Sequence, residues 1–594
     1  MKGQASSRFI IVAVIASLVG SAIGIQMIRI QNIPAAAEIL AQSENYRGFI
    51  ETIYPERGSI YDAEGNLLAG NEAVFEVGLD LASVAQPETI AAVASSVLGL
   101  DYAEVLASAQ MTPGDGNPYY VVLEGFATKE EIDELEKINQ EYEDRKVGRN
   151  ETKPSLRGLI WTAQNKRSYP EGDLASNIIG FYSFLDKTEG KGYFGVEEAY
   201  NDLLAGTPKQ VFKNYDPVEI PTTETVSPGA SLVLTIDRDI QAMTENVLSE
   251  AIDWSGAEAG TILIYNPEDG SVLAMATTPR LDPNEYWKYS EIFPNPTPYN
   301  RAISKSYEPG SVFKVLTMAA ALDAGAVTPE TVFHDTGSIM VGGTTITNWN
   351  YGAWGDQDMT GCMQHSLNVC LSWIAMQLGA DRFYSYLKNF GLDRNTGIDL
   401  GGEVHFPLKV PGDNQWYEVD LATNSFGQGI SLTPIQMVMA IGSVANEGKM
   451  MAPHVVKSMI IDGRQYEVNP VIVGTPLKPE TATTLTSMLV TSLEEESSVA
   501  LVEGYSVAGK TGTAEIPTEF GYTSSVTNTS FVGWGPAEDP KFLVYIWLEK
   551  PTISIWGSEV AAPVFSDVVK NLVVLMDIPP DNIRLQSAST TNGE

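Results

Sequence analysis

Three short stretches of this 594-residue chain hold residue types that could do nucleophilic chemistry. In YEPGSVFK, Ser311 and Lys314 stand three apart, the spacing that puts two side chains on one helical face. Pro309 and Gly310 break the chain just before them, so Ser311 is expected at the mouth of a helix. A serine hydroxyl becomes a useful nucleophile only beside a base. A lysine amine is a base only when neutral, which burial, the positive end of a helix and a second cation would all favour. In HSLN, Ser366 and Asn368 are two apart and share no helical face, so both reach one cleft only from a turn or loop. In VAGKTGTAE, residues 507–515 read as a strand, with Lys510 and Gly512 on one face and Thr511 and Thr513 on the other. Lys510 is then the second cation, and Gly512 would let a peptide lie along the strand edge.

Other constellations are weaker. His365 adjoins Ser366, but adjacent residues seldom meet in serine–histidine geometry. Cys362, His365 and Cys370 lack a fourth ligand for zinc, so no metal is expected. If the two cysteines share a helix they are roughly 12 Å apart along it, beyond the reach of a disulfide, and none is expected. GQG at 427–429 lacks the third glycine of a nucleotide loop. Trp349, Tyr351 and Trp354 either line a cleft or simply pack. Ser43-Glu44-Asn45 repeats the S-x-N spacing as a decoy.

The elements that must hold these motifs follow from periodicity. A strand, Asp237 as N-cap and a long helix open a unit near residue 230. The apolar runs in AGTILIYNPEDGSVLAMATTP read as a hairpin, and PKFLVYIWLEKP as a long apolar strand before a helix over 559–576. Strands flanking a helical middle indicate an α/β (α+β) domain with a mainly antiparallel sheet. Upstream, residues 128–145 form a charged helix with Ile132, Leu135, Ile138 and Tyr142 on one side, 192–206 form another helix, and 207–230 read as a linker. The expected divisions are a cytoplasmic tail (1–8), a transmembrane anchor (9–28), an N-terminal region (29–225) opening with a helical stalk, a catalytic domain (226–578) and a disordered tail (579–594). The apolar run from Phe9 follows Lys2 and Arg8 and is long enough to span a bilayer, with the bulk of the chain outside. A cleaved signal ending near Ala35–Ala37 competes less well, because that site lies far beyond the apolar run. A net charge of -38 excludes a nucleic-acid surface, which needs a basic footprint.

Taken together and in this order, the three motifs are the set found in penicillin-binding proteins and class A β-lactamases. The chain further resembles the class B (monofunctional) penicillin-binding proteins from the anchor to about residue 577. RGSIYDAEGNLLA (57–69), RSYPEG (167–172), GYFGVEEAYNDLLAG, LVLTIDRDIQ, NRAISKSYEPGSVFK, SFGQGISLTPIQM, KTGTAE and EVAAPVF carry the likeness. Ala63 and Val369 depart from it, where a basic and a small polar residue are common. The resemblance implies a penicillin-recognising serine transpeptidase fold on an elongated pedestal of the dimerisation type, and no cofactor. It implies peptidoglycan D,D-transpeptidation: Ser311 as nucleophile, Lys314 as base, Ser366 with Lys510 as proton relay, and Asn368, Thr511, Gly512 and Thr513 as substrate-binding residues. The backbone N–H groups of Ser311 and Thr513 would form the oxyanion hole. Expected partners are stem peptides, lipid-linked nascent glycan, β-lactams and a membrane glycosyltransferase of the shape and division class, because no such domain fits before residue 230. A hydrolytic D,D-carboxypeptidase or β-lactamase, and a β-lactam sensor or scaffold, are the alternative readings.

Overall fold

The computed structural model describes residues 3–31, 48–114, 117–148, 151–183, 190–214, 226–496, 498–518 and 521–591. Contacts divide it into two units, 1–56 with 205–229, and 57–204 with 230–594. In the first unit the helix Gly3–Gln31 contains the apolar stretch Ile10–Met27, long enough to cross a membrane. The strand Gly48–Ile53 pairs antiparallel with Lys209–Asn214. Part of the expected linker is therefore a strand, fixed by this pairing with a segment more than 150 residues away and not by any alternation of its own. Most of the helical stalk expected over 30–50, the alternative cleavage site and the decoy at 43–45 fall at 32–47, outside the described residues; the end of that stretch, 48–50, is strand and not helix.

The second unit is built on two sheets. One has five antiparallel strands in the order Val272–Thr277, Ala259–Tyr265, Phe542–Glu549, Gly521–Gly535, Ala508–Thr518. The strands Ala259–Tyr265 and Phe542–Glu549 are buried at every position because both faces are covered. Ile262, Ile264, Val544 and Ile546 pack with the helices Arg238–Ser255 and Gly557–Leu575. Leu263, Tyr265, Leu543 and Tyr545 turn the other way, into a larger core with the helices Lys314–Asp323, Asn368–Leu378 and Pro434–Ala445. Period-two alternation thus sorts one strand's side chains between two cores.

The other sheet runs Arg464–Glu467, Val456–Ile461, Ser231–Leu234, Ile60–Tyr61, Leu67–Asp80, Tyr120–Ala127, with Leu159–Ser168 also on Leu67–Asp80. Ile60–Tyr61 and Ser231–Leu234 pair in parallel. Asp237 caps its helix as expected, accepting from the N–H groups of Asp239 and Ile240. The charged helix is Lys129–Asp144, opened by a Thr128–Glu131 capping box and burying Ile132 and Leu135. The expected 192–206 helix is two short ones, Gly195–Ala199 and Asn201–Ala205. The polar C-terminus expected to be disordered forms the helix Asp581–Thr591. The Asp581 carboxylate accepts from the N–H of Ser506, and Arg584 pairs with Glu538, anchors too distant in sequence to be seen there.

The RGSIYDAEGNLLA, RSYPEG and GYFGVEEAY segments meet at one buried cluster. Arg57 and Arg167 both pair with Glu197, and Tyr169 donates to the same carboxylate at 3.2 Å. Burial alone would raise the Glu197 pKa, but the two guanidiniums outweigh it and hold the carboxyl below its ordinary value.

Candidate active site

Ser311 lies in a single 3-10 turn, Gly310–Phe313, and Lys314 opens the α-helix behind it. Three residues per turn eclipse positions i and i+3, so the pair is aligned more closely than an α-helix would align it. Gly310 takes a φ of 60°, and a Cβ there would lie 2.8 Å from the Thr513 carbonyl oxygen. The turn that presents Ser311 therefore abuts the 508–518 strand directly. Behind it, Gly310 donates to the Gly427 carbonyl at 3.0 Å and Gly429 donates to the Glu308 carboxylate at 3.0 Å. The GQG stretch, set aside as a nucleotide loop, braces the nucleophile turn; its two glycines have φ of 81° and 72°. Paired glycines were the only signal in the sequence for this role.

The Lys314 side chain is fully buried. Its Nζ donates to the Ser366 carbonyl and to Asn368 Oδ1, both at 2.7 Å, and lies 3.1 Å from Ser366 Oγ. A neutral amine has two N–H bonds and one lone pair. Two carbonyl acceptors use the N–H bonds and leave the lone pair for a hydroxyl. Burial, followed by the Lys510 ammonium, holds the Lys314 pKa well below the usual lysine value. The Ser311 hydroxyl accepts or donates no hydrogen bond with any described residue. Catalytic hydrogen bonds of this kind often close only when substrate is bound.

Ser366 and Asn368 come from a break between helices, Met359–Gln364 and Asn368–Leu378, with Ser366 at a φ of 52°. The same break overturns the expectation for the cysteines. Cys362 and Cys370 form a disulfide with Cα atoms 6.1 Å apart, because the chain reverses between them instead of continuing as one helix. A turn at the S-x-N motif and a shared helix for the cysteines could not both hold. Neither cysteine is then a thiolate for zinc. The His365 ring stacks on Trp354 at 4.0 Å, and the His365 carbonyl accepts from Trp349 Nε1 at 3.1 Å.

The strand is Ala508–Thr518, at the end of the five-stranded sheet, so among the described residues one of its edges has no sheet partner. Lys510 and Gly512 are buried and Thr511 and Thr513 half-buried, the expected alternation. Gly512 also has a packing reason. A Cβ there would overlap Ser530 Oγ and approach Val312 Cγ1 to 2.9 Å, so the missing side chain seats the strand on the nucleophile turn. Lys510 Nζ is 3.4 Å from Thr511 Oγ1. Thr513 Oγ1 accepts from the Gly557 N–H at 3.0 Å, which leaves its own hydrogen to be donated elsewhere. Gly557, in a segment with no motif signal, fits only because a Cβ would meet the Gly512 carbonyl oxygen at 2.1 Å.

A base-and-serine pair, a second cation and two threonine hydroxyls beside a free strand edge make a site for acyl transfer from a peptide carrying a carboxylate. Comparison with known proteins points the same way. The penicillin binding protein transpeptidase domain matches residues 260–570, and the penicillin-binding protein dimerisation domain residues 52–234. Stage V sporulation protein D of Bacillus subtilis is 30% identical over 547 residues, covering 89% of this chain and 79% of its own length. The probable peptidoglycan D,D-transpeptidase PbpC of Pseudomonas aeruginosa is 27% identical over 595 residues, 97% of this chain and 96% of its own. The crystal structure of penicillin binding protein 3 from Mycobacterium tuberculosis, complexed with aztreonam, is similar at a TM-score of 0.66 and 25% identity, over 89% of this chain and 98% of that one.

Proposed function

Because the chain belongs to the class B penicillin-binding proteins, and is a peptidoglycan D,D-transpeptidase, we propose how its own residues divide that reaction. Lys314 takes the proton of Ser311, which attacks the carbonyl of the penultimate D-alanine of a donor stem peptide. The terminal D-alanine leaves with a proton relayed through Ser366, and the product is an ester on Ser311. An amine of a second stem attacks that ester, Lys314 and Ser366 returning the proton to Ser311 as the cross-link forms. Thr511 and Thr513 hold the donor's terminal carboxylate beside the Lys510 charge, and Gly512 lets their strand sit close to the nucleophile. Asn368 binds the substrate backbone. The N–H groups of Ser311 and Thr513 receive the developing oxyanion, where loss of one donor costs about 3 kcal/mol of transition-state stabilisation. The contact between the Gly310 turn and Thr513 supports that pairing.

The observation that carries this reading is the buried Lys314 amine, held on the Ser366 turn with its proton affinity lowered by burial and by Lys510. β-Lactams acylate Ser311 because they imitate the D-alanyl ending. Labelling with a fluorescent penicillin tests it: Ser311→Ala is expected to lose the label entirely, and label persisting on another residue would refute the assignment.

The chain is read as a single-pass membrane protein, residues 9–28 spanning and residues 29–225 and 226–578 outside as pedestal and catalytic parts. The Cys362–Cys370 disulfide supports this orientation, because such bonds persist in oxidising compartments. Lys2 and Arg8 on the short lead support it too. The glycan strand is then made by a membrane glycosyltransferase acting on lipid-linked precursor. Co-purification of a polytopic glycosyltransferase with the full chain checks that partner.

A further inference from the structure

The helix Asn368–Leu378 begins without a local cap. The first N–H groups of a helix need acceptors, and Leu367 at its N-cap position has no side chain to offer one. The acceptor comes from 21 residues upstream: Asn348 Oδ1 takes the Val369 N–H at 3.2 Å. Asn348 is buried, and both of its amide N–H bonds are engaged as well. One donates to the Asp335 carboxylate at 2.8 Å and the other to the Gly352 carbonyl at 3.1 Å. The residue before it has a second task. The Thr347 carbonyl accepts from Asn368 Nδ2 at 3.2 Å, while Oδ1 of the same amide accepts from Lys314 Nζ at 2.7 Å.

An amide side chain has one accepting end and one donating end. Turned over, Asn368 would point N–H bonds at the Lys314 amine. Thr347 decides the orientation, so Lys314 keeps an acceptor for one of its own N–H bonds and its lone pair stays free for a hydroxyl. Without that acceptor the amine can turn an N–H toward the hydroxyl that it must deprotonate. Thr347 is placed by its neighbour Asn348, and Asn348 by Asp335. The Asp335 carboxylate is buried and has no ion pair among the described residues. It accepts only from neutral donors: Asn348 Nδ2, the Trp354 N–H at 2.9 Å and the Gly337 N–H at 3.4 Å. A charge buried in this way is costly unless its hydrogen bonds are kept, and a bond to a charged acceptor is stronger than one between neutral groups. The tether on Asn348 is therefore firm. It runs from Asp335 through Asn348 to the start of the helix, and from there through Asn368 to Lys314.

We propose that Asn348 is a positioning residue for acyl transfer: tethered to the buried Asp335, it holds the start of the helix Asn368–Leu378 so that the Asn368 oxygen faces the Lys314 amine. It acts through Asn368 and not on the reacting atoms. This rests on Lys314 as the base, as proposed above.

The test follows acylation of the full chain in detergent by a chromogenic cephalosporin in stopped flow. The limiting rate, the concentration that gives half of it and the fraction of sites labelled are read separately. Asn348→Ala is expected to lower the limiting rate by about tenfold to a hundredfold, the size of effect that a small misplacement of reacting groups produces, with every site still labelled. A smaller loss of the limiting rate, or none, overturns the proposal. So does a loss carried wholly by weaker binding or by fewer competent sites, which is what a merely structural role would give. If the alanine variant does not fold, Asn348→Ser decides, since serine keeps an acceptor for Val369 and a donor for Asp335. A lowered limiting rate at full labelling then supports the proposal, and a wild-type rate overturns it. Failure of the underlying reading looks different: Lys314→Met would then be acylated as fast as wild type.

Discussion

The pH dependence of acylation belongs to two lysines. In the proposed mechanism Lys314 must be neutral to take the Ser311 proton, so the acylation rate is expected to rise with pH through the Lys314 pKa, which burial and Lys510 hold well below the ordinary lysine value. Replacing Lys510 by methionine removes one of the two depressing influences. The ascending limb of acylation by a penicillin is then expected to move to higher pH, on top of a lower plateau from the lost carboxylate partner. A limb that stays in place would mean that Lys510 does not set the charge of Lys314. The sign for stability is separate. Between the lowered folded pKa and the ordinary value, the unfolded chain binds a proton that the folded chain does not, so Lys314 makes stability increase with pH across that window. At this scale the sequence was informative: Ser311, Lys314, Ser366, Asn368, Lys510 and the two threonines are legible because each motif is local. Gly557 was not, since its meaning lies in which strand it touches.

The turn between the helices Met359–Gln364 and Asn368–Leu378 is the element on which the base depends, because Lys314 spends its hydrogen bonds there. The disulfide closes this turn on itself. Converting Cys362 and Cys370 together to alanine is expected to lower stability by about 2.5 kcal/mol, the loop-closure entropy of so short a ring. It is also expected to slow penicillin acylation, since the turn then holds Lys314 less firmly. Urea unfolding and acylation kinetics on the double variant check both; unchanged kinetics would mean that helix packing alone fixes the turn. The pairing was missed because a helix was assumed across a segment whose chemistry demanded a break. Where both faces of an element are buried and its sequence is a nearly unbroken apolar run, as in FLVYIWLE, sequence alone identified the strand. Where an element depends on distant partners, as in the helix Asp581–Thr591, it did not.

Across the molecule, the buried Arg57, Arg167 and Glu197 cluster ties the segment at Arg57 to two segments more than a hundred residues further along the chain. Glu197→Gln leaves two buried guanidiniums without a counter-charge and is expected to cost about 3–5 kcal/mol, read as a lower urea midpoint. The lowered Glu197 pKa gives the acid limb: its contribution is present above the unfolded carboxylate value and disappears as pH falls through the folded one. A variant as stable as wild type would show that the cluster contributes nothing net. The seven-stranded sheet has a consequence for dissecting the protein. Ser231–Leu234 lies between Ile60–Tyr61 and Val456–Ile461. A chain truncated to begin at 226 would uncover one side of that strand, giving it an unsatisfied edge of the kind that recruits other chains. Excised catalytic fragments should therefore self-associate on a sizing column unless the short 57–69 segment is supplied with them.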